Sequence, residues 1–308
     1  MKRVFLFSLI IISALLLSCT KKVQDDAVVL GVMPSMDYLP LAVALEQGYF
    51  EDAGLKFTIK KFFSAVERDA AFQSGNIDGT VIDYTGAVLQ RAGGIPLKLA
   101  SACDAPFYIV AGKHTKIADI SGLKGKKTAV SQNTVIDYCI DRALALAGLK
   151  PADIEKVEIN RIPMRYEMLD SGKIDATALP EPFASKARNT GNTIITSNAE
   201  LGFAITGIIW TEKALSEKRE LIKKLYSVYN MGALYIRTHN IDDMKGALIA
   251  EMGFTEEELA GAAIPHYNDA LPPSLEDLTA VSEWLIERGL IDRNFDPKSL
   301  IVDGILTE

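Results

Sequence analysis

The sequence predicts an α/β protein made of two similar units that face each other across one cleft. The first observation is a repeated stretch: Ser74-Gly75-Asn76-Ile77-Asp78 returns 97 residues later as Ser171-Gly172-Lys173-Ile174-Asp175. In both copies a helix-like segment precedes the glycine, and a short apolar run typical of a buried strand follows it. A second pair of landmarks, Ala-Gly-Leu at 53–55 and again at 147–149, occurs in the same order. Two ordered landmarks of this kind indicate an internal duplication.

The first unit alternates strands and helices in the way that a mostly parallel sheet requires. Strands are predicted at residues 28–32, 56–62 and 97–102 and in the apolar run after the first copy. Helices are predicted at 40–48, from Ser64 to the first copy, and from about 86 to 92. The run Phe107-Tyr108-Ile109-Val110 is predicted to leave this unit as a crossover strand.

The second unit repeats the alternation and is followed by a helical tail. It begins with a strand at 128–130 and a helix that ends at Ala147. A further strand and helix precede the second copy of the repeat, and the unit ends near Ile195. The apolar run 203–210 is predicted to carry the chain back to the first unit. Helices are expected at 215–238, 241–252, 255–263 and 274–288, and no flexible linker separates these pieces.

The N-terminus reads as a targeting segment rather than as part of the fold. Lys2-Arg3 precede an apolar run that is short for a membrane span, and Leu16-Leu17-Ser18-Cys19 closes it. We expect a lipoprotein signal at 1–18, lipidation of Cys19 and a tether at 19–27; an uncleaved anchor helix is the alternative. Either interpretation places the rest of the chain outside the cytoplasm, on the periplasmic or external face of the cell membrane.

Charge and motif content exclude several classes of protein. The formal net charge of −7 and the absence of a Lys/Arg block disfavour nucleic-acid binding. The histidines His114, His239 and His266 are scattered, and no Walker A, Gly-x-Ser-x-Gly or dinucleotide pattern occurs. No cofactor or metal is therefore expected. Cys103 and Cys139 could form a disulfide, but buried free thiols are favoured.

Several motifs together resemble one known family. The residues Leu-Ala-x-Ala…Gly-Tyr-Phe-Glu-x-Ala-Gly-Leu within 41–55 are similar to the start of periplasmic solute-binding proteins of ABC importers, in the branch that binds sulfonates, taurine, nitrate and thiamine pyrimidines. The repeated Ser-Gly-x-Ile-Asp, the stretch 122–126 and Pro180-Glu181-Pro182-Phe183 are similar as well. The resemblance covers about 28–306, nearly all of the chain after the signal.

The resemblance implies the type II periplasmic-binding-protein fold, with two lobes joined by two crossover strands. The lobes are expected at 28–107 with 206–308, and at 108–205. The chain would be a monomeric, lipid-anchored solute-binding component that serves a permease and an ATPase, and not an enzyme. The alternative within the same branch is an enzyme related to thiamine-pyrimidine synthesis, but its cysteine-rich signature is missing here. An adhesin or structural protein, the third alternative, lacks the expected repeats.

Ligand contacts are expected at strand ends and helix starts on both sides of the cleft. The candidates are Ser35, Asp37, Tyr38, Ser64, Asp83, Tyr84 and Thr85 in the first lobe, and Ser131, Asn133, Thr134, Arg165 and Glu181 in the second. Each has a structural alternative. Ser64, Thr134, Asp83 and Glu181 could cap helices, Arg165 could lie on a solvated helix face, and Tyr38 and Tyr84 could pack in the core.

The balance of charges at the candidate site indicates the kind of ligand. The candidate site contains only one arginine, against four carboxylates: Asp37, Asp83, Asp104 and Glu181. Carboxylates near a bound anion would weaken its binding. We therefore expect a neutral or cationic organic molecule, such as an aromatic amine or a pyrimidine-like ring, in preference to a sulfonate or nitrate.

Overall fold

The computed structural model of the chain describes residues 27–33 and 35–306. The predicted signal at 1–18, the lipidation site Cys19 and nearly all of the tether lie outside the described residues. Within the described ranges, no helix has the length and apolar character that a membrane span requires.

In the part of the chain that the structure describes, ten strands form two five-stranded sheets of the same design. They are β1 (Ala27–Val32), β2 (Lys56–Lys61), β3 (Gly79–Asp83), β4 (Leu97–Ala102), β5 (Phe107–Ala111), β6 (Lys127–Val130), β7 (Glu155–Glu158), β8 (Ala176–Pro180), β9 (Thr193–Ser197) and β10 (Thr206–Thr211). The first sheet has the order β2-β1-β3-β10-β4 and the second β7-β6-β8-β5-β9. We call each sheet with the helices packed on it a lobe.

The two crossover strands occupy equivalent places in the two sheets. β5 follows β4 in the chain but pairs antiparallel with β8 and β9 of the second sheet. β10 follows β9 but pairs antiparallel with β3 and β4 of the first. The remaining neighbours, β1 with β2 and β3, and β6 with β7 and β8, run parallel. This arrangement confirms the predicted fold class.

Helices cover the sheets and form the C-terminal part of the first lobe. They are α1 (Leu39–Glu46), α2 (Tyr49–Asp52), α3 (Ala65–Gln73), α4 (Tyr84–Ala92), α5 (Val135–Leu146), α6 (Ile162–Asp170), α7 (Phe183–Asn189), α8 (Glu212–Glu217), α9 (Arg219–Thr238), α10 (Glu256–Leu259) and α11 (Leu275–Glu287). Short 3-10 turns occur at Met36–Tyr38, Ile120–Leu123, Pro151–Asp153, Ile241–Met244 and Pro297–Leu300.

The strand interiors that follow the two copies of the repeat are buried, as their apolar sequence predicts. Val81 and Ile82 are at most 6% exposed, and Ala178 and Leu179 are fully buried. Cys103 and Cys139 are also buried, and both are free thiols.

The helical tail departs from the prediction at three places. The helix expected at 215–238 is divided at Lys218, whose Nζ donates to the Ala27 carbonyl and to Asp78 and so draws the backbone towards the first sheet. The helix expected at 241–252 is a 3-10 turn followed by a π-helix, Ala247–Glu251, whose Ala247 N–H donates to Glu46 at 3.0 Å. The helix expected at 255–263 ends at Leu259, and Gly261 follows in the left-handed region at φ +74°.

Candidate functional site

Asp37 is the central carboxylate at the carboxyl end of the first sheet. Ser35 precedes the 3-10 turn, and its hydroxyl donates to the Asp37 carboxylate at 2.8 Å. The hydroxyl of Thr206, on the crossover strand β10, donates to the other carboxylate oxygen at 2.9 Å. The side chain is only 5% exposed, so both hydroxyls replace water that the carboxylate has lost.

The surroundings of Asp37 favour its neutral form. Burial raises the pKa of Asp37 to about 6, the two hydroxyl hydrogen bonds oppose that rise, and the charge of Asp83 adds to it. Within the described part of the chain, no lysine, arginine or histidine forms an ion pair with Asp37. A buried carboxylate without a cation is costly, so a cationic group brought by a ligand would stabilise its charged form.

Asp83 ends β3 and caps the next helix. Its carboxylate accepts a hydrogen bond from the Gly86 N–H at 2.7 Å and one from the Thr85 hydroxyl. This cap explains why α4 begins at Tyr84, two residues earlier than the sequence predicts. Tyr84 is fully buried in the hydrophobic core, and among the described residues its hydroxyl has no hydrogen-bond partner.

Further groups near Asp37 come from distant parts of the chain. Asp104, just after β4, accepts hydrogen bonds from the Asn268 N–H at 2.7 Å and from its side-chain amide at 3.3 Å, and burial raises the pKa of Asp104. The hydroxyl of the fully buried Tyr267 donates to the Met36 carbonyl. Tyr267 and Asn268 were not predicted, because no sequence signal near them marks the contact with residues 36 and 104.

Glu181 is the carboxylate at the carboxyl end of the second sheet. It follows β8, is 3% exposed and precedes a cis peptide bond to Pro182. The N–H and hydroxyl of Ser185 donate to its two oxygens at 3.1 and 2.9 Å. Burial raises the pKa of Glu181, and the Ser185 hydrogen bonds and the charge of Arg188 oppose the rise.

Arg165 is directed into the second lobe rather than presented as a free cation. It is 1% exposed on α6, and its guanidinium donates to the carbonyls of Ile159 at 3.0 Å and Asn160 at 3.3 Å. Burial lowers its pKa to about 10. Arg68 occupies the equivalent place on α3, 97 residues earlier, and its guanidinium reaches the Val81 carbonyl at 3.4 Å. The repeat offset would have identified Arg68, which the prediction omitted.

The remaining predicted residues mostly hold local structure. Tyr38 is fully buried and its hydroxyl donates to the Glu251 carbonyl at 2.8 Å. Thr134 caps α5 by accepting from the Ile136 N–H at 3.3 Å, and Ser131 donates to Asn160 at 2.7 Å. Asn133 is exposed, with φ +59°, and its side chain accepts from Arg288 at 3.3 Å. Ser64 stands at the start of α3, but its side chain forms no capping hydrogen bond.

Two cavities at the surface lie away from these residues. One, of about 650 Å³, is lined by the end of α4 and residues 289–295. The other, of about 400 Å³, lies at the amino-terminal edge of the first sheet, beside residues 72–78. Neither contains a predicted site residue. Across the described ranges, no group of three or more His, Cys, Asp or Glu residues is arranged to hold a metal ion.

Comparison with protein families identifies a match over two thirds of the chain. Residues 35–240 match the family described as NMT1/THI5 like. This range contains both copies of the repeat, both crossover strands and all twelve predicted ligand-contact residues.

Individual relatives are distant in sequence. A Bacillus subtilis protein, provisionally named for binding aliphatic sulfonates, is 23% identical over 219 residues, which cover 68% of this chain and 65% of the relative. The riboflavin-binding protein RibY of Chloroflexus aurantiacus is 21% identical over 207 residues, 65% of this chain and 59% of the relative. The chain thus spans less than two thirds of the length of either.

The fold also matches solved structures over nearly its whole length. The periplasmic aliphatic sulphonate binding protein SsuA of Escherichia coli superposes with a TM-score of 0.78 at 18% identity, covering 92% of this chain and 94% of that one. At this identity the likeness establishes the fold alone.

Proposed function

The chain belongs to the NMT1/THI5-like family, and from that premise we propose that it is the solute-binding component of an ABC importer. In this role it captures a small organic molecule between its two lobes and delivers it to a membrane permease and ATPase. The names of the relatives, which are binding proteins, support this role over that of an enzyme. We propose that the lobes comprise 28–107 with 206–308, and 108–205, and that the protein acts as a monomer.

The observation that carries the proposal is the buried carboxylate Asp37. It lies at the carboxyl end of the first sheet, where ligands of open α/β sheets bind, and among the described residues its carboxylate accepts hydrogen bonds only from hydroxyl groups. Asp83 and Asp104 add negative charge on the same side, and Glu181 occupies the corresponding edge of the second sheet. We propose these four carboxylates as the polar wall of the binding site.

The charge of this wall supports a neutral or cationic ligand. Arg165, the predicted arginine, donates to two backbone carbonyls and offers little to an anion. The relatives' names include both a sulfonate and riboflavin, so family membership leaves the ligand open. We extend to this chain the binding role of those relatives and not their ligands.

A thermal-shift screen tests the ligand class. Organic amines and pyrimidine-like rings should raise the melting temperature, because a ligand at 100 times its dissociation constant stabilises the folded state by about 2.7 kcal/mol. Taurine, alkanesulfonates and nitrate serve as the opposing set. Selective stabilisation by a sulfonate would overturn the proposed ligand class.

Substitution of the two walls tests the location of the site. With a stabilising compound in hand, Asp83→Asn and Glu181→Gln should each weaken its binding by about 2–5 kcal/mol, because each removes a charge from the proposed site, at a half-buried position for Asp83 and a buried one for Glu181. Calorimetric titration measures this loss. Unchanged affinity together with earlier melting would assign both acids to helix capping alone.

Lipid anchoring at Cys19 is proposed from the sequence. Labelled palmitate should accompany the full chain in its host, and Cys19→Ala should abolish the label. A wild-type protein that remains unlabelled in the cytosol would contradict both export and anchoring.

A further inference from the structure

One irregular segment connects the two lobes at the edge where the carboxylates lie. After α10 the chain forms neither helix nor strand until α11, and residues 260–271 of this stretch contact both lobes. We call residues 260–271 the bridging segment. Its two halves have different partners.

The second half of the bridging segment is fixed to the first lobe. The Tyr267 hydroxyl donates to the Met36 carbonyl, and the Tyr267 carbonyl accepts from Arg237 at 2.9 Å. The Asn268 N–H donates to Asp104, and the Leu271 carbonyl accepts from the Ala102 N–H at 2.9 Å. These hydrogen bonds make the segment a rigid extension of the first lobe.

The first half contacts one helix of the second lobe. On α7, Arg188 donates to the Gly261 carbonyl at 3.0 Å and the Asn189 amide donates to the Ala260 carbonyl at 3.1 Å. In the opposite direction, the Ala263 N–H donates to the Ser185 hydroxyl at 3.2 Å. Three hydrogen bonds therefore join three residues within 260–263 to residues 185–189 of α7 in the other lobe.

Gly261 allows this close approach. Its φ of +74° disfavours any residue with a side chain, and a Cβ atom there would lie 2.7 Å from the Asn189 amide nitrogen. Another residue at this position would have to change both its backbone conformation and the contact with α7.

Ser185 connects the contact to the candidate site. Its hydroxyl accepts from the Ala263 N–H and donates to the Glu181 carboxylate at 2.9 Å. Any movement of Glu181 that redirects this hydroxyl therefore acts directly on the contact between the lobes.

We propose that residues 260–263 form a latch that holds the two lobes in the closed arrangement, and that Ser185 couples this latch to Glu181. The inference rests on the interlobe site proposed above, but not on the identity of its ligand. A ligand that holds Glu181 charged strengthens the acceptor of the Ser185 hydroxyl and with it the latch. Closure and ligand binding then favour each other.

Hydrogen exchange at the Ala263 amide tests whether the contacts open together. The measurement uses the full chain without ligand and compares the wild type with Arg188→Ala and Asn189→Ala, both at exposed positions. Neither variant removes Ser185, the acceptor of the Ala263 N–H. Because Arg188 also donates to the Ser185 hydroxyl at 3.3 Å, Asn189→Ala is the variant that leaves every hydrogen bond of Ser185 in place. If the three contacts open as one unit, the loss of either hydrogen bond should speed exchange at Ala263 about tenfold.

Lys186→Ala is the matched control, because it removes a positive charge from the same helix. Lys186 lies over the ring of Tyr166 at 5.2 Å, and among the described residues its side chain forms no hydrogen bond or ion pair with the bridging segment. The rate of hydrogen exchange at the Ala263 amide in Lys186→Ala should equal that of the wild type. Unchanged exchange in both test variants would overturn the latch, as would equal acceleration in the control.

Small-angle scattering gives the second readout. Arg188→Ala and Asn189→Ala should increase the radius of gyration of the ligand-free protein, because lobes released from the latch separate. Faster exchange without any increase would show a local contact and would also overturn the proposal. Neither measurement requires a ligand, so failure of the latch and failure of the ligand screen are separate results.

Discussion

The two lobes agree at the amino-terminal edges of their sheets and differ at the carboxyl-terminal edges. In the first lobe the Asp78 carboxylate accepts from the Val29 N–H at 2.8 Å; in the second, Asp175 accepts from the Lys127 N–H at 2.9 Å. Thr80 and Thr177, two residues later, donate to the carbonyls of Gly31 and Ala129 at 2.8 and 2.9 Å. Both copies of the repeat thus join two parallel strands of their sheet, β1 to β3 and β6 to β8, by the same pair of contacts.

The carboxyl-terminal edges agree only in part. Asp83 and Glu181 each accept one N–H and one hydroxyl hydrogen bond from the helix that follows. The first lobe adds Asp37, in the turn after β1, and Asp104, just after β4. The comparison teaches that the repeated aspartate has a structural role. The residues that differ between the two lobes are the ones expected to determine which ligand binds.

The largest expected effect concerns the amino-terminal edges of the two sheets, where the contacts are the same in both lobes. Asp78→Asn should lower the free energy of unfolding by about 3 kcal/mol, because Asp78 also pairs at 2.9 Å with the largely buried Lys218. Asp175→Asn should cost only about 1 kcal/mol, since its other partner, His114, is partly exposed. Urea unfolding of both variants measures the difference. Equal losses would mean that the two edges are equivalent in energy as well as in geometry.

The next effect is specific to the first lobe and depends on pH. The folded-state pKa of Asp37 is raised to about 6, so between pH 4 and 6 the native state binds more protons than the unfolded state, and the free energy of unfolding falls as pH rises. Asp37→Asn removes this dependence and should stabilise the ligand-free protein at pH 7.5 by about 2–3 kcal/mol. At pH 4 the variant should match the wild type.

Denaturant unfolding at the two pH values measures the Asp37 effect, with Asp52→Asn as a control at an exposed aspartate. The control should keep the pH dependence of the wild type. If Asp37→Asn also keeps the pH dependence of the wild type, the charge of Asp37 is already compensated in the folded protein. Asp37 would then not be the group that binds a cationic ligand.

A smaller effect distinguishes structure from binding in the second lobe. Arg165→Gln should cost about 2 kcal/mol of stability, because it withdraws a buried donor from the Ile159 and Asn160 carbonyls. The dissociation constant of any compound found in the screen should stay within about twofold, for which calorimetric titration is suited. If the variant is fully folded under the conditions of the titration and still binds much more weakly, Arg165 contacts the ligand.

The smallest effect concerns Glu181. Ser185→Ala removes the hydroxyl that stabilises the carboxylate, so the pKa of Glu181 should rise further, with a stability change of about 1 kcal/mol. Carbon NMR titration of the glutamate side chain measures this shift. A lower pKa would mean that water reaches the carboxylate once the hydroxyl is gone.

The sequence by itself determined the duplicated α/β architecture. Gly75 and Gly172 adopt positive φ at the helix ends, and the runs after Asp78 and Asp175 are buried strands, because glycine conformation and apolar periodicity are local properties of the chain. The two crossover runs were predictable for the same reason. Caps at Asp83 and Thr134 were weighed as alternatives, since capping also depends on neighbouring residues.

Only the tertiary structure decided which polar groups meet at the carboxyl ends. Asp37 meets Thr206 across 169 positions of sequence, and Asp104 meets Asn268 across 164. Arg165, polar and on a helix, is directed inward, where its guanidinium donates to two backbone carbonyls. Two predicted C-terminal helices are divided or irregular where Lys218 and Glu46 form hydrogen bonds with distant backbone groups. Contacts between residues so far apart in the sequence depend on how the elements pack together. The periodic pattern of apolar residues does not predict them.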